Sequence, residues 1–204
     1  MIVLAGGIGS GKSVVARILR LKGYGVFDCD FEAKRLMHHD PELRKAITRI
    51  AGREAYDREG ELDRRFLASR IFGDQDIRRE INSVVHQAVK KEVMDWLQRD
   101  KMNIFVETAI ASESGLADAA SQIWFVNASA EQRISRVKAR DGRSEAEIIR
   151  IIEVQKREET VLLDGSRKVV RIQNDSGDSL LCRIDLLCKS LETEQKLPTK
   201  THKI

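Results

Sequence analysis

Gly6-Gly7-Ile8-Gly9-Ser10-Gly11-Lys12-Ser13 is the stretch whose reading decides the fold. It matches G-x-x-x-x-G-K-[ST], a loop that cradles phosphates. Its glycines let the backbone curl so that several N–H groups face phosphate oxygens. The helix expected to follow adds the positive end of its dipole. Lys12 places a point charge on the β- and γ-phosphates, and Ser13 offers a hydroxyl to a nucleotide-borne Mg²⁺. The expected ATP contacts are therefore Gly7, Ile8, Gly9, Ser10, Gly11, Lys12, Ser13 and Val14.

Working outward, Met1 to Ala5 is an apolar run without alternation, as in a strand buried on both faces of a parallel sheet. Val14 to Leu21 is a short helix ended by Gly23 and Gly25, and Val26-Phe27 is a brief second strand running into Asp28-Cys29-Asp30. Phe31 to Arg99 is helical and highly charged, punctuated by Gly60 and Gly73, with a helix start at Asp40-Pro41. Three more strands are expected at Asn103 to Thr108, Gln122 to Val126 and Lys168 to Ile172. Glu131 to Glu159 is a basic helical stretch broken near Asp141-Gly142, and Asp178 to Leu191 is a closing amphipathic helix. Strands alternating with helices predict a parallel sheet wrapped on both faces.

The composition agrees with this. The chain has 204 residues, 36 Lys+Arg and 32 Asp+Glu, so 36 − 32 = +4. That excess permits phosphate-rich ligands without demanding nucleic acid. Scattered aromatics, at 5%, offer no stacking platform for bases. No run approaches the roughly 20 apolar residues of a membrane span. The apolar start enters the loop directly, so it reads as a strand and not a signal peptide. Cys29, Cys182 and Cys188 have no CxxC spacing, which argues against a zinc site and fits a reducing cytoplasm. Oligomeric state is not readable; a homo-oligomer is compatible with the sequence.

The loop alone does not separate kinases, GTPases and ATPases. An N-K-x-D base-recognition motif is absent, and Ile104-Phe105-Val106-Glu107 lacks the acidic pair of an hhhhDE segment. The short chain and the basic stretch at 131–159 suit a small-molecule kinase with a lid. Asp28 and Asp30 end a strand taken to lie next to the first. Residues i and i+2 share a side of an extended chain, so both carboxylates are expected in one crevice. One would orient or deprotonate an acceptor hydroxyl; the other would hold Mg²⁺ or an Arg. Arg136 and Arg140 share a helical face and are positioned to close over phosphates. Arg133, Lys138 and Arg143 are expected in solvent. Trp96, Trp124 and Cys29 are expected in packing. His86 sits among Val84, Val85 and Val89, and both a core and a ligand role are open to it.

The ordered series GGIGSGKS, VFDCDFEAKRL, GELDRRFLASRIF, INSVVHQAV, RVKARDGRSEAE, the later Q-x-R-E-E and Ile172-Gln173-Asn174-Asp175 resembles the dephospho-coenzyme A kinase family over about residues 1 to 190. The resemblance implies a P-loop NTPase fold of nucleoside-monophosphate-kinase type. It has a central parallel sheet of about five strands flanked by helices. The core is about 1–36, 97–132 and 165–192, with a helical acceptor segment at 37–96, a lid at 133–164 and a frayed tail at 193–204. The implied reaction moves the ATP γ-phosphoryl group to the ribose 3′-hydroxyl of dephospho-CoA, with Mg²⁺. Carried over by position, Asp30 is the candidate base, beside Lys12 and Arg140 as catalytic groups. Arg136, Arg140 and Asn174 join the loop in holding the nucleotide. Asp28, Asp30, Arg65, His86 and Glu107 hold the acceptor; Arg64, Arg70 and Asn82 fall in the same motifs. Glu107 to Glu113 departs from the family's D-x-P-L-L-F-E by losing the Pro and the Leu pair, and Gln87 replaces a Pro. Two rivals remain at this stage: a kinase of another small hydroxyl or nucleotide acceptor, and an ATP-binding regulatory protein without catalysis.

Overall fold

The computed structural model describes residues 1–175 and 179–196, the last three by backbone alone. Five strands form one parallel sheet in the order β2-β3-β1-β4-β5, with β1 (Ile2–Ala5) in the centre. β3 (Asn103–Glu107) and β4 (Gln122–Asn127) flank it, and β5 (Val169–Gln173) and β2 (Gly25–Asp28) are the edges.

This order corrects one expectation. β2 pairs with β3 and has no ladder to β1. The crossover through α1 (Lys12–Leu21) passes over a place that β3 fills some 75 residues later, and nothing local in the sequence announces that.

Successive residues of β1 point to opposite faces, as a strand requires. Val3 and Ala5 join one apolar cluster, and Ile2 and Leu4 the other. The second cluster is closed by Val15, Ala16 and Leu19 of α1 and by Ile184 and Cys188 of α8 (Leu180–Lys196). The tail expected to fray from 193 is helical through Lys196, while 197–204 and Asp178 lie outside the described residues.

The first cluster continues into the helical segment. It unites Val3, Phe27 and Val106 with Leu36 of α2 (Cys29–His39), Leu43 and Ile47 of α3 (Pro41–Ala51), Leu67 of α4 (Arg64–Gly73), and Ile81, Val89 and Val93 of α5 (Gln75–Arg99). Helices α2 to α5 thus share a core with the sheet. Each begins at an aspartate that accepts first-turn N–H groups: Asp28, Asp40, Asp63 and Asp74. Trp124 is fully buried, and Trp96 packs edge-on against Phe27.

The basic stretch is two helices, α6 (Ala130–Asp141) and α7 (Glu145–Leu162). Gly142 ends α6 at φ 65°, and a Ser144–Glu147 capping box opens α7. Val137, Ile148 and Ile152 make a small apolar cluster of their own, against which Ile8 packs.

Candidate functional site

The phosphate loop leaves the C-terminal end of β1 and enters α1, whose first turn holds no acidic side chain. The dipole at that end is therefore open to an anion. Gly11 adopts φ 98°, and a β-carbon there would fall 2.1 Å from Asn174 Nδ2. Only glycine satisfies both conditions. Asn174 Nδ2 donates to Ser10 O at 2.8 Å, so this side chain braces the loop.

A cavity of about 870 Å³ opens over the loop. Lys12, Ser13, Asp30, Glu107, Arg136 and Arg140 line it together. Lys12 Nζ donates to Gly6 O at 2.7 Å, folded back onto the loop. Burial pushes its pKa down, while Glu107 and Asp30 pull it back up. Arg136 donates to Asn174 O at 2.8 Å, and Arg140 forks onto Asp141 at 2.6 and 2.8 Å. These three cations of the cavity are thus held by carbonyls or a neighbouring acid.

Ser13 Oγ donates to Glu107 Oε1 at 3.1 Å. Glu107 is buried at the end of β3, in register with Leu4 on one side and Asp28 on the other. Burial, then the Asp28 charge, push its pKa up. A hydroxyl beside one buried carboxylate at a phosphate cradle suits Mg²⁺, which keeps several waters and takes its other ligands from phosphates. Among the described residues no cluster of three or more His, Cys, Asp or Glu could hold a metal ion.

Asp28 and Asp30 do not share an extended chain. Asp28 caps α2, accepting the Phe31 N–H at 3.0 Å, while Asp30 lies within the helix's first turn. Their side chains diverge. Asp30 lines the loop cavity, and Asp28 lines a separate cavity of about 820 Å³ with Arg35 and Trp96. The helix begins two residues earlier than the sequence pattern suggests, because Asp28 supplies the cap. Cys29 between them is buried, and burial raises its thiol pKa far above the ordinary value, as suits packing.

The remaining residues expected to hold the acceptor lie apart. Arg65 stands exposed in the first turn of α4 and lines neither of these cavities. His86 lines a third cavity of about 400 Å³ with Asn82 and Glu113. Burial lowers its pKa, and the Glu113 charge offsets part of that. The segment that departs from the family pattern is tied down at Ser112, whose N–H donates to Glu158 Oε1 of α7 at 2.6 Å.

Two residues at the loop escaped the sequence reading. Arg133 was expected in solvent; it is buried, and its Nε donates to Ile8 O at 2.9 Å. The inward face of α6 carries Arg133 and Val137 four residues apart, so the arginine follows the apolar side of the helix. Gln155 of α7 accepts the Ile8 N–H at 2.7 Å. Its only signal was the glutamine of Q-x-R-E-E.

A family model described as dephospho-CoA kinase matches residues 1–178. The dephospho-CoA kinase of Porphyromonas gingivalis is 36% identical over 168 residues, covering 82% of this chain and 83% of its own. That of Bacteroides fragilis is 35% identical over 177 residues, covering 82% and 86%. A crystal structure of a Thermus thermophilus protein, 31% identical, superposes with a TM-score of 0.75 over 95% of this chain and 96% of that one. A dephospho-CoA kinase from Campylobacter jejuni, 16% identical with a TM-score of 0.68 over 95% and 98%, shares the fold. The chain belongs to the dephospho-CoA kinase family. It is an ATP-dependent kinase of the final step of coenzyme A synthesis, with the fold of P-loop kinases.

Proposed function

We propose that the cavity over the phosphate loop is where the γ-phosphoryl group of ATP passes to the ribose 3′-hydroxyl of dephospho-CoA, with Asp30 as the base. One observation carries this reading: Lys12, Ser13, Asp30, Glu107, Arg136 and Arg140 line a single cavity. Phosphoryl transfer asks little covalent chemistry of a protein. It asks for in-line positioning and fixed positive charge.

The loop amides and the α1 N-terminus bind the β- and γ-phosphates. Lys12 exchanges the Gly6 carbonyl for phosphate oxygens, a charged acceptor in place of a neutral one. Ser13 and Glu107 would hold a nucleotide-borne Mg²⁺, which neutralises charge on the β- and γ-oxygens when bound. Asp30 orients the 3′-hydroxyl and accepts its proton as the new O–P bond forms. The bond from the γ-phosphorus to the β–γ bridging oxygen breaks, and ADP leaves with that electron pair. Arg140 leaves Asp141 and, with Arg136, meets the charge that shifts in transfer. The helices of 133–164 act as a lid that excludes water, and those of 37–96 carry the acceptor, with Asp28, Arg65 and His86 on that side. Asn174 supports the nucleotide side through Ser10. Three unpaired thiols fit work in the cytoplasm.

Incubation with Mg·ATP and dephospho-CoA, read by mass, tests the proposal. Coenzyme A should form with one ADP per turnover. Faster phosphorylation of another hydroxyl acceptor in a parallel panel would overturn the acceptor assignment, and ADP release independent of any acceptor would overturn the transfer itself.

A further inference from the structure

Arg133 sits behind the phosphate loop and does not line the cavity in front of it. It is 6% exposed. A β-carbon on Gly7 would fall 2.1 Å from its Nη2, so the guanidinium lies directly against the loop backbone. Nη2 itself is buried without a hydrogen-bond partner. Among the described residues Arg133 makes no ion pair; Glu159 faces it only at longer range. A buried cation without a matching anion is costly, and such groups persist where something else supplies the charge.

The loop does not depend on Arg133 alone for its shape. The Ile8 N–H is held by Gln155, the Ile8 side chain packs with Val137, Ile148 and Ile152, and the Ser10 N–H closes a turn onto Gly7 O at 3.2 Å. What Arg133 adds beyond these is a charged hydrogen bond to Ile8 O and the charge itself. That charge reaches the front of the loop, where it disfavours a second cation on Lys12. Two cations thus flank one loop, Lys12 in front with Glu107 and Asp30 beside it, and Arg133 behind with Glu159 only at longer range.

We propose that Arg133 is a positioning residue for the nucleotide: a buried cation behind the phosphate loop whose counter-charge is the bound polyphosphate. It acts through the Ile8 peptide that its Nε holds, and it rests on the reading of the front cavity as the ATP site.

The test separates charge from scaffolding. Arg133→Met keeps much of the side chain's bulk and removes the charge, and Arg133→Lys keeps the charge. Without nucleotide, Arg133→Met should melt within about 2 °C of the parent, or higher, because the lost bond to Ile8 O is offset by removal of an unpaired buried cation. In calorimetry its affinity for Mg·ADP should fall roughly 10- to 100-fold, the range for a hydrogen bond involving a charged group. KM for ATP should rise by more than kcat falls. Arg133→Lys should recover Mg·ADP affinity to within several-fold. Unchanged affinity in Arg133→Met overturns the proposal. So does a large loss of melting temperature in the empty Arg133→Met protein, which would mark a scaffold residue. If Arg133→Met fails to fold while Arg133→Lys folds, the empty protein needs the charge and the proposal fails. A parent protein that does not bind Mg·ADP would instead overturn the ATP-site reading on which it stands.

Discussion

Around the phosphate loop, side chains are held by the main chain. Lys12 rests on Gly6 O, Asn174 on Ser10 O, Arg133 on Ile8 O and Arg136 on Asn174 O. In the helical segment across the cleft, the charged groups nominated for the acceptor are held far less. Arg65 is exposed, and His86 shares an open cavity with Asn82 and Glu113. The difference has a physical basis. A polyphosphate is bound chiefly by backbone N–H groups, so its site must be built when the chain folds. A long exposed side chain such as Arg65 carries an ordering cost that is met only when something binds it. The side chains at the loop are ordered by the main chain, while Arg65 stands free of such bonds to the loop.

That contrast can be broken at its strongest point first. Lys12→Ala should lower turnover by about 10³-fold or more with an unchanged circular dichroism spectrum, as expected of an ammonium that lines the cavity and belongs to no apolar cluster. Near-normal turnover would dissolve the preorganised side of the comparison. Asp30→Asn should cost roughly 10²–10⁴-fold in kcat, the range of a positioned acid–base group, with little change in dephospho-CoA affinity by calorimetry. Asp28→Asn should cost less, because Asp28 is engaged as the α2 cap and faces another cavity. If Asp28→Asn proves the more damaging change, the roles of the two carboxylates are reversed.

Arg140→Ala should lower kcat by about 10²-fold, and KM for ATP should move less, because its charge is needed where charge shifts. A pure KM effect would make it a ground-state contact. His86→Asn should raise KM for dephospho-CoA by only several-fold, as expected of one contact among several in a cavity shared with Asn82 and Glu113. A collapse of kcat there would show that cavity to be preorganised too.

The smallest effect concerns the empty protein. Glu107 has its pKa raised from the ordinary 4.5 by burial and by Asp28. The folded state then holds more protons than the unfolded one, so stability falls as pH rises from about 4.5 upward through the raised pKa. Glu107→Gln should melt slightly higher than the parent at neutral pH, and the gap should close toward pH 4.5. A gap independent of pH would remove the carboxylate's burial as its cause.

The loop was legible because it is local. Eight consecutive residues, Gly6 to Ser13, carry the curl, the cation and the hydroxyl, and the strand and helix on either side are short-range patterns. The helix starts were equally local: aspartates at 28, 40, 63 and 74 cap four helices, although only Asp40 was read that way. Asp28 and Asp30 look like one extended pair in sequence because the strand pattern runs straight into the residue that caps α2.

By itself, then, the sequence determined the phosphate cradle, the parallel α/β class and, through an ordered series of motifs, the family. The tertiary structure alone decided which distant groups meet. Ser13 bonds Glu107, 94 residues away, and Ile8 bonds Gln155, 147 away. Arg133 lies behind the loop and not in water, and β2 occupies an edge because β3 takes the place beside β1. Local pattern records which face of an element is apolar. It does not record which element will cover that face, because the choice is made by packing among segments far apart in the chain.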